Sequence, residues 1–391
     1  MSAPLPPFEP SLLALYRAHV VAALPAGTEW FDAHTHTGHN DPDGFKASPD
    51  QILAALDEAG HHQALVFTSA DPAGYRAANE RVLAEAAASG GRLTALCRLD
   101  PHADPIAEAE RSLAAGAAGI KLHPRAERFT MSEPTVEQIV ALADDRRLPV
   151  MIHAGRGIPA LGRDTVRLAR RHPGARLILA HAGISDLAWL GREAPELPNL
   201  FFDTAWWNVA DLVALFAVIP PGQILYASDM PYGHSLFNGL ALLRCGLAVG
   251  HDPETLAELA GGQLSRLLRG EDGRDLGAAP GAPPAAQPPA APRVVQHLTG
   301  AISRCMGGAD PAEPLALARL ACDVPEDDPE APLLRVAEGM IAASEHALPG
   351  LPEARRAVVG PAVAAALLAG TPSVQVGLQC DDRHRSGAAN P

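Results

Sequence analysis

The chain has 391 residues, of which 47% are hydrophobic and 19% charged, with a formal net charge of −14. This length predicts more than one structural unit around a sizeable core. The acidic balance argues against nucleic acid as the main partner, because phosphate binding needs a basic surface. The five cysteines are scattered without a C-x-x-C pair, which argues against a disulfide framework or cysteine zinc site and favours a reducing cytoplasm.

The first segment, residues 1–27, contains an apolar run that superficially resembles a secretion signal. It lacks a basic start, however, and Glu9, Arg17 and His19 interrupt the run. We therefore predict an amphipathic helix over residues 11–24, packed on the main domain.

From Glu29 onward, short apolar runs alternate with longer stretches of helical period, which is typical of βαβ units. The eight candidate strands are WFDAHTH, HQALVFTS, RLTALCRLD, GIKLHP, PVMIHAG, RLILAHAG, NLFFDTA and ILYASDMP. Between them lie helical patterns, of which the first has Ser48 as N-cap and Gly60 at its exit. This order predicts an α/β fold, a (β/α)₈ TIM barrel over residues 28–270. A doubly wound sheet is the alternative, but no G-x-G-x-x-G follows the first strand.

Beyond the barrel the composition changes to an Ala/Pro-rich linker, residues 271–292, which is expected to be extended. A small α-helical domain follows over residues 293–380, and residues 381–391 form a polar tail. The uncharged run at 357–378 is interrupted by Pro361 and Gly370, which favours a buried helix over a membrane span. This helical appendage contains no catalytic constellation.

Polar residues recur where the predicted strands end. In a parallel barrel all these ends lie on one face, which carries the active site. Six residues are therefore expected to converge on one pocket: His34, His36, His123, His153, His181 and Asp229. Asp32, His34 and His36 alternate along the first strand, so we expect them to share one of its faces. His34 and His36 could then chelate one ion.

A zinc-like divalent ion takes imidazole nitrogens and a carboxylate oxygen and keeps a position for water. Bound water then becomes a nucleophile at neutral pH. Asp229 would move the proton, and His181 would polarise a substrate carbonyl. A single histidine could equally be a satisfied core residue, but that explanation must place several costly polar groups at matching strand ends. The donor set does not distinguish zinc from manganese, iron or cobalt.

These residues resemble those of the amidohydrolase superfamily. The similarity is greatest to the amidohydrolase-related group that contains aminocarboxymuconate semialdehyde decarboxylase and related metal-dependent hydrolases. It covers residues 28–270 and includes the LDP, GIKLHP and GGQLSRLL segments. It implies four ligands for one divalent metal: His34, His36, His153 and Asp229. It also implies that His181 is the catalytic histidine outside the ligand set and that Asp229 doubles as acid and base. Gln263 replaces an asparagine of the family pattern at a position that looks structural.

Lys121 is ambiguous. In binuclear members of the superfamily a lysine on the fourth strand becomes carbamylated and bridges two metals, whereas here it could also form a structural ion pair. We favour one metal. Candidate substrate-binding residues lie on or after strands four, five and seven: His123, Lys121, Arg125, Arg156 and Trp206.

The leading hypothesis is a hydrolase that cleaves a C–N or C–O bond of an amide, lactone or ester. The alternative is a non-oxidative decarboxylase of a small unsaturated or aromatic acid, which needs a cation near the metal, such as Arg125 or Arg156. A barrel that only binds ligand, or a scaffold for the appendage, is the third. All imply a small-molecule partner and neither nucleic acid nor membrane. A homodimer is the default expectation for a soluble oligomer.

Overall fold

The computed structural model describes residues 10–42, 44–155, 157–281, 289–352 and 354–374. Among these, the chain forms two compact units. One unit comprises residues 24–281, and the other comprises residues 10–23 together with 289–374.

The described part of the first unit contains nine short strands. They are β1 Phe31–Thr37, β2 Gln63–Thr68, β3 Leu93–Ala95, β4 Cys97–Arg98, β5 Ile120–Leu122, β6 Pro149–Ile152, β7 Arg176–Leu179, β8 Leu200–Asp203 and β9 Ile224–Leu225. All paired strands are parallel, in the orders β1-β2-β3 and β4-β5-β6-β7-β8-β9. Each of the eight predicted runs contains a strand, and the third contains two.

The third run divides at Leu96. The Leu96 amide donates to the carbonyl of Val66 at 2.9 Å, whereas the Cys97 amide donates to the carbonyl of Gly119 at 3.0 Å. Consecutive amides of a strand point to opposite sides, so this run is hydrogen-bonded to β2 on one side and to the segment that leads into β5 on the other, where the Ala118 amide also donates to the Ala95 carbonyl.

The ends of the sheet meet in a short seam. The Ala33 amide donates to the Tyr226 carbonyl at 2.9 Å, and the His36 amide donates to the Met230 carbonyl at 2.7 Å. Thr35 and Met230 also form a parallel bridge. With this seam the strands complete the predicted (β/α)₈ barrel.

The helices of this unit follow the strands. They are α2 Pro49–Ala59, α3 Tyr75–Ala88, α4 Pro105–Ala114, α5 Pro124–Glu127, α6 Pro134–Arg146, α7 Leu161–Arg171, α8 Leu187–Glu193, α9 Val209–Val218, α10 Ser235–Ala248, α11 Pro253–Ala257 and α12 Gln263–Leu268. Short 3₁₀ turns lie at His181–Gly183, Ala194–Glu196 and Pro221–Gln223, and a π-helical turn lies at Glu258–Gly262. Ser48 caps α2 as predicted, because its hydroxyl accepts from the Gln51 amide, and Gly60 ends the helix with φ 70°.

The core lies in two layers on either side of the strands. Inside the barrel, Leu65 and Phe67 of β2 pack with residues of other strands such as Met151 and Ile178. The alternate β2 residues, Ala64 and Val66, pack outward with residues of α2 and α3. This alternation follows from the period of two along a strand.

The second unit is helical. It contains α1 Pro10–Tyr16, which continues as a π-helical turn at Arg17–Val21, and then α13 Ala291–Met306, α14 Ala312–Ala321, α15 Ala331–Ala347, a 3₁₀ turn at Leu348–Gly350 and α16 Arg355–Gly370. Helix α16 packs against α13 and α15 and contacts α1. The N-terminal helix exists as predicted, but it groups with these helices rather than with the main domain. An amphipathic pattern does not specify which apolar surface it covers.

The first part of the predicted linker is hydrogen-bonded to the barrel. The Arg274 amide donates to the Gln263 side chain at 2.8 Å, and the Gly281 amide donates to the Ala217 carbonyl at 2.8 Å. Residues 271–281 are thus attached to the first unit, and α13 already begins at Ala291. The predicted tail, residues 381–391, lies outside the described residues.

Four of the five cysteines are described, and Cys97, Cys245, Cys305 and Cys322 are all free and buried. Within the described residues, no helix is both long enough and apolar enough to cross a bilayer.

Gln263 joins three backbone groups, as expected of a structural residue. Its amide nitrogen donates to the carbonyls of Gly222 and Arg274 at 2.8 and 2.7 Å, and its oxygen accepts from the Arg274 amide. Gln263→Ala leaves these groups unpaired in a buried place, so we expect the barrel to lose about 2–4 kcal/mol of unfolding free energy.

Tryptophan fluorescence in urea measures this loss selectively, because all four tryptophans lie in the first unit. The matched control is Gln63→Ala, which removes one exposed hydrogen bond to Gly91 and should cost less than about 1 kcal/mol. Equal losses in both variants would contradict a structural role for Gln263.

Candidate metal centre

A bulge in β1 aims two histidines into the barrel mouth. The register between β1 and β2 shifts between Asp32 and Thr35. Asp32 pairs with Ala64, which faces the helices, whereas His36 pairs with Phe67, which faces the barrel interior. The expectation that Asp32 shares a face with both histidines is therefore wrong, because the bulge changes the alternation.

The Asp32 side chain stabilises this bulge. Its Oδ1 atom accepts hydrogen bonds from the backbone amides of His34 at 3.0 Å and of Ser228 at 2.9 Å. The carboxylate thus joins β1 to the segment that follows β9. Burial raises the pKa of Asp32 to about 7.

His34, His36 and Asp229 form a compact group, called the triad below. The Nε2 atoms of His34 and His36 are 3.1 Å apart, and Asp229 Oδ1 lies 3.2 and 3.1 Å from them. Ligands at about 2.0–2.2 Å from one divalent ion stand roughly 3 Å apart, so these spacings fit a shared metal. Two imidazole nitrogens and a carboxylate oxygen are also the donors that such an ion accepts.

Burial gives these histidines the charge state that a metal ligand needs. It lowers the pKa of His34, His36, His123 and His153 well below the ordinary histidine value. Their rings are therefore neutral at pH 7 and can offer a lone pair. Burial raises the pKa of Asp229 well above its ordinary value, although nearby Lys121 opposes this effect.

Asp203, the last residue of β8, contacts the His34 ring on the side opposite the triad. Its Oδ2 atom lies 2.7 Å from His34 Nδ1. Burial raises the pKa of Asp203, whereas His181 and the amides of Ala205 and His181 lower it. A carboxylate behind a histidine ligand is a recurring arrangement in metal sites.

Three predicted residues form a second group beside the triad. The rings of His123 and His153 stack with centroids 3.8 Å apart. His153 Nδ1 lies 3.0 Å from His181 Nε2, and His181 Nδ1 donates to the Ala205 carbonyl at 2.8 Å. In the structure His153 thus pairs with His181, and the group of potential ligands within the described residues comprises His34, His36 and Asp229. The ligand role of His153 stays a prediction.

Both predicted catalytic residues have a strained backbone. Asp229 and His181 each have φ 56°, and Ala182 has φ 58°. Residues with a Cβ atom seldom adopt this left-handed region. Such strain persists only where the surroundings enforce it, and it concentrates at functional sites.

Lys121 points at the triad. Its Nζ atom lies 3.5 Å from His34 Nε2 and 4.6 Å from the centroid of the Phe67 ring. Burial lowers the pKa of Lys121 to about 7, although Asp203 and Asp229 favour its charged form. The amine therefore belongs to the centre, in contrast to a structural ion pair lower in the barrel.

The other predicted residues have different positions. Arg125 is exposed on α5, and Arg156 lies outside the described residues. Trp206 is partly buried, with its ring centroid 6.0 Å from that of His181. His123 accepts from the Ala126 amide at 3.2 Å and so caps α5.

A buried ion pair at the mouth was not predicted from the sequence. Arg98, which ends β4, donates through Nη2 to Glu127 Oε1 at 2.7 Å, and both side chains are at most 4% exposed. Tyr75 hydrogen-bonds the same carboxylate, and its ring lies 5.0 Å from the Arg98 guanidinium carbon. The signal was present, because Arg98 occupies a strand end like the histidines.

The sequence model of the family described as Amidohydrolase matches residues 6–237 of the 391. The chain belongs to the amidohydrolase family. Members of this family are enzymes that bind a divalent metal, and the triad provides suitable ligands for one in this amidohydrolase.

Solved structures resemble the barrel. An uncharacterized TIM-barrel protein from Bordetella bronchiseptica matches with a TM-score of 0.52 at 15% identity, over 62% of this chain and 99% of that one. A 2,6-dihydroxybenzoate decarboxylase from Rhizobium has a TM-score of 0.49 at 16% identity, over 62% and 98%. A 5-carboxyvanillate decarboxylase from Sphingomonas paucimobilis has a TM-score of 0.49 at 16% identity, over 62% and 99%. No curated protein matches the chain. At these identities the first similarity shows the TIM-barrel fold alone.

Metal content tests the centre. We expect about one divalent ion per chain in the wild type and none in His34→Ala/His36→Ala, because one carboxylate cannot hold the ion alone. Elemental analysis of the purified full chain measures both. About two ions would indicate a carbamate bridge at Lys121.

The matched control is His297→Ala/His346→Ala, which removes two histidines from the second unit and should leave the metal content unchanged. A triad variant that keeps its metal would show that the ion binds elsewhere.

Proposed function

We propose that this amidohydrolase is a metal-dependent carbon–carbon lyase that removes carbon dioxide from a small unsaturated or aromatic acid. The metal is most simply zinc, with manganese, iron or cobalt as substitutes. The small-molecule partner, a cytoplasmic location and a homodimer remain predictions from the sequence.

The observation that supports the proposal is the aromatic border of the centre. Four side chains form it: Tyr232, Phe45, Trp206 and Trp207. Tyr232 contacts the His36 ring edge-on at 5.3 Å, and Trp206 lies 6.0 Å from the His181 ring. Flat aromatic rings therefore lie beside His36 and beside His181. Such surfaces favour a planar, conjugated substrate.

Two buried basic side chains are candidates for the cation that decarboxylation needs. Arg125 is exposed. Lys121, by contrast, lies 3.5 Å from His34, and buried Arg98 is the last residue of β4. In its protonated form Lys121 can hold a carboxylate beside the triad. Lys121 lies on β5 and Arg98 ends β4, so both candidates for the cation belong to strands.

When bound, a divalent ion polarises a substrate oxygen and draws charge from the bond that breaks. In the reaction the bond between the substrate carbon and its carboxylate breaks, and carbon dioxide leaves. The electron pair of that bond stays on the substrate carbon. That carbon then takes a proton. Asp229 is placed to supply it from Oδ2, because Oδ1 faces the two histidines and Oδ2 lies 3.9 Å from His181 Nδ1.

Hydrolysis of an amide, lactone or ester is the second candidate, and Lys121 is the observation that favours it. With its pKa lowered to about 7, the amine is partly neutral at pH 7. A neutral amine beside His34 can react with carbon dioxide to form a carbamate, which would add an oxygen ligand for a second metal. The charge state of one lysine therefore separates the two functions.

Product analysis with the metal-loaded enzyme tests the proposal. Carbon dioxide should be released from aromatic or unsaturated acids, and Asp229→Asn should lower turnover by about 10²–10⁴-fold because the proton donor is lost. Membrane-inlet mass spectrometry measures the gas. Asp252→Asn is the control, since this exposed residue caps α11 and asparagine caps equally well. Turnover of neutral lactones, with no gas from any acid, would establish hydrolysis instead.

The aromatic border makes a further prediction. Trp206→Leu removes a flat surface worth about 1 kcal/mol, so KM for an aromatic acid should rise about 5- to 10-fold. KM for a non-planar acid should change by less than about twofold. Steady-state kinetics measures both, with Trp189→Leu on α8 as the matched tryptophan control. An equal rise for both acids would show that Trp206 supports the barrel without contacting substrate.

A further inference from the structure

The Asp203 carboxylate is fully buried and contacts three groups from different parts of the barrel mouth. Its Oδ2 atom lies 2.7 Å from Nδ1 of His34 on β1. Its Oδ1 atom accepts from the backbone amides of His181 at 2.8 Å and Ala205 at 3.0 Å. Each oxygen therefore has a separate set of partners.

The contact with Oδ2 decides where His34 carries its proton. A neutral imidazole has one N–H and one lone pair, and an ionised carboxylate can only accept. The proton must therefore lie on Nδ1. The lone pair is then on Nε2, the atom that stands 3.1 Å from His36 Nε2 and 3.2 Å from Asp229 Oδ1.

The contacts with Oδ1 fix the orientation of the carboxylate. Two backbone amides point at this oxygen, and backbone amides cannot change from donor to acceptor. They belong to His181, with its left-handed backbone at φ 56°, and to Ala205, whose carbonyl also accepts from the His181 ring. The same carboxylate thus holds the strained main chain at His181 and the ring of His34.

We propose that Asp203 is a positioning residue: through Oδ1 it holds the backbone at His181, and through Oδ2 it keeps the His34 proton on Nδ1, so that Nε2 is free to bind a metal. The inference rests on the metal centre of the proposed function and does not depend on which reaction the enzyme performs.

Asp203→Asn is a sharp test because it preserves shape and reverses one hydrogen bond. The two backbone amides still require an oxygen at the Oδ1 position, which places the new NH₂ group opposite His34 Nδ1. Two donors cannot face each other, so His34 must move its proton to Nε2. That proton occupies the lone pair that the metal needs.

Asp144→Asn is the matched control. The Oδ1 atom of Asp144 also accepts from two backbone amides, those of Gly174 and Ala175, and its Oδ2 atom lies 3.6 Å from His172 Nδ1. These groups lie before the start of β7, whereas the metal centre lies where the strands end. The variant therefore repeats the chemical change away from the triad.

Two measurements on the metal-free full chain examine the inference. Long-range ¹H–¹⁵N correlation with ¹⁵N-histidine shows which ring nitrogen of His34 is protonated, with His34→Gln for assignment. Competition with a chelator gives the Kd for Zn²⁺. We expect protonated Nδ1 of His34 in the wild type and in Asp144→Asn, and protonated Nε2 in Asp203→Asn. We also expect zinc affinity about 10- to 100-fold weaker in Asp203→Asn and unchanged in Asp144→Asn.

A wild-type His34 protonated on Nε2 would overturn the inference, and this measurement decides even if Asp203→Asn fails to fold. The inference would also be overturned if Asp203→Asn bound Zn²⁺ as tightly as the wild type. A wild type that binds no Zn²⁺ would overturn the metal centre itself. Failure to release carbon dioxide from any acid, with the zinc results as expected, would overturn the proposed reaction and leave the role of Asp203 standing.

Discussion

The metal centre depends on the cost of removing charged and polar groups from water. Imidazoles and carboxylates lie inside the barrel, where each must find a partner or neutralise. The pKa directions of His34, His36 and Asp229 all express this cost, since burial is the first cause in each case. These buried side chains are partners for one another. Each would be costly to bury alone, but as a network they satisfy one another's polar atoms.

Backbone geometry places the members of this network. The bulge in β1 aims His34 and His36 into the mouth, and the left-handed backbone at His181 and Asp229 directs two further side chains there. Neither feature would persist without side chains that enforce it. Asp32 holds the bulge, and Asp203 holds the turn at His181.

One rule allowed the triad to be predicted from the sequence: parallel strands end on the same face of a barrel. That rule needs only the order of strands and the polar residue that ends each one, which is why His34, His36 and Asp229 could be placed together. The barrel followed from the same alternation of strand and helix. The same rule applies to Arg98, which ends a strand and pairs with Glu127. An arginine among histidines was nevertheless not recognised as part of the site.

What the sequence did not contain was local geometry. The period of two along a strand gave the wrong face for Asp32, because a bulge depends on the register with a neighbouring strand. The pairing of His153 with His181 depends on side-chain rotamers at two strand ends. The helix at the N-terminus was foreseen, yet its partner was not, since many apolar surfaces fit one amphipathic face.

The barrel closes at the seam beside Met230, where β1 meets the segment after β9 through a few backbone hydrogen bonds. His34 and His36 lie on β1, and Asp229 lies in the segment that follows β9. An ion held by all three residues would join the two sides of the seam. The cofactor of the chemistry is then also a mechanical cross-link, so that losing it loosens the barrel at the place where its wall closes.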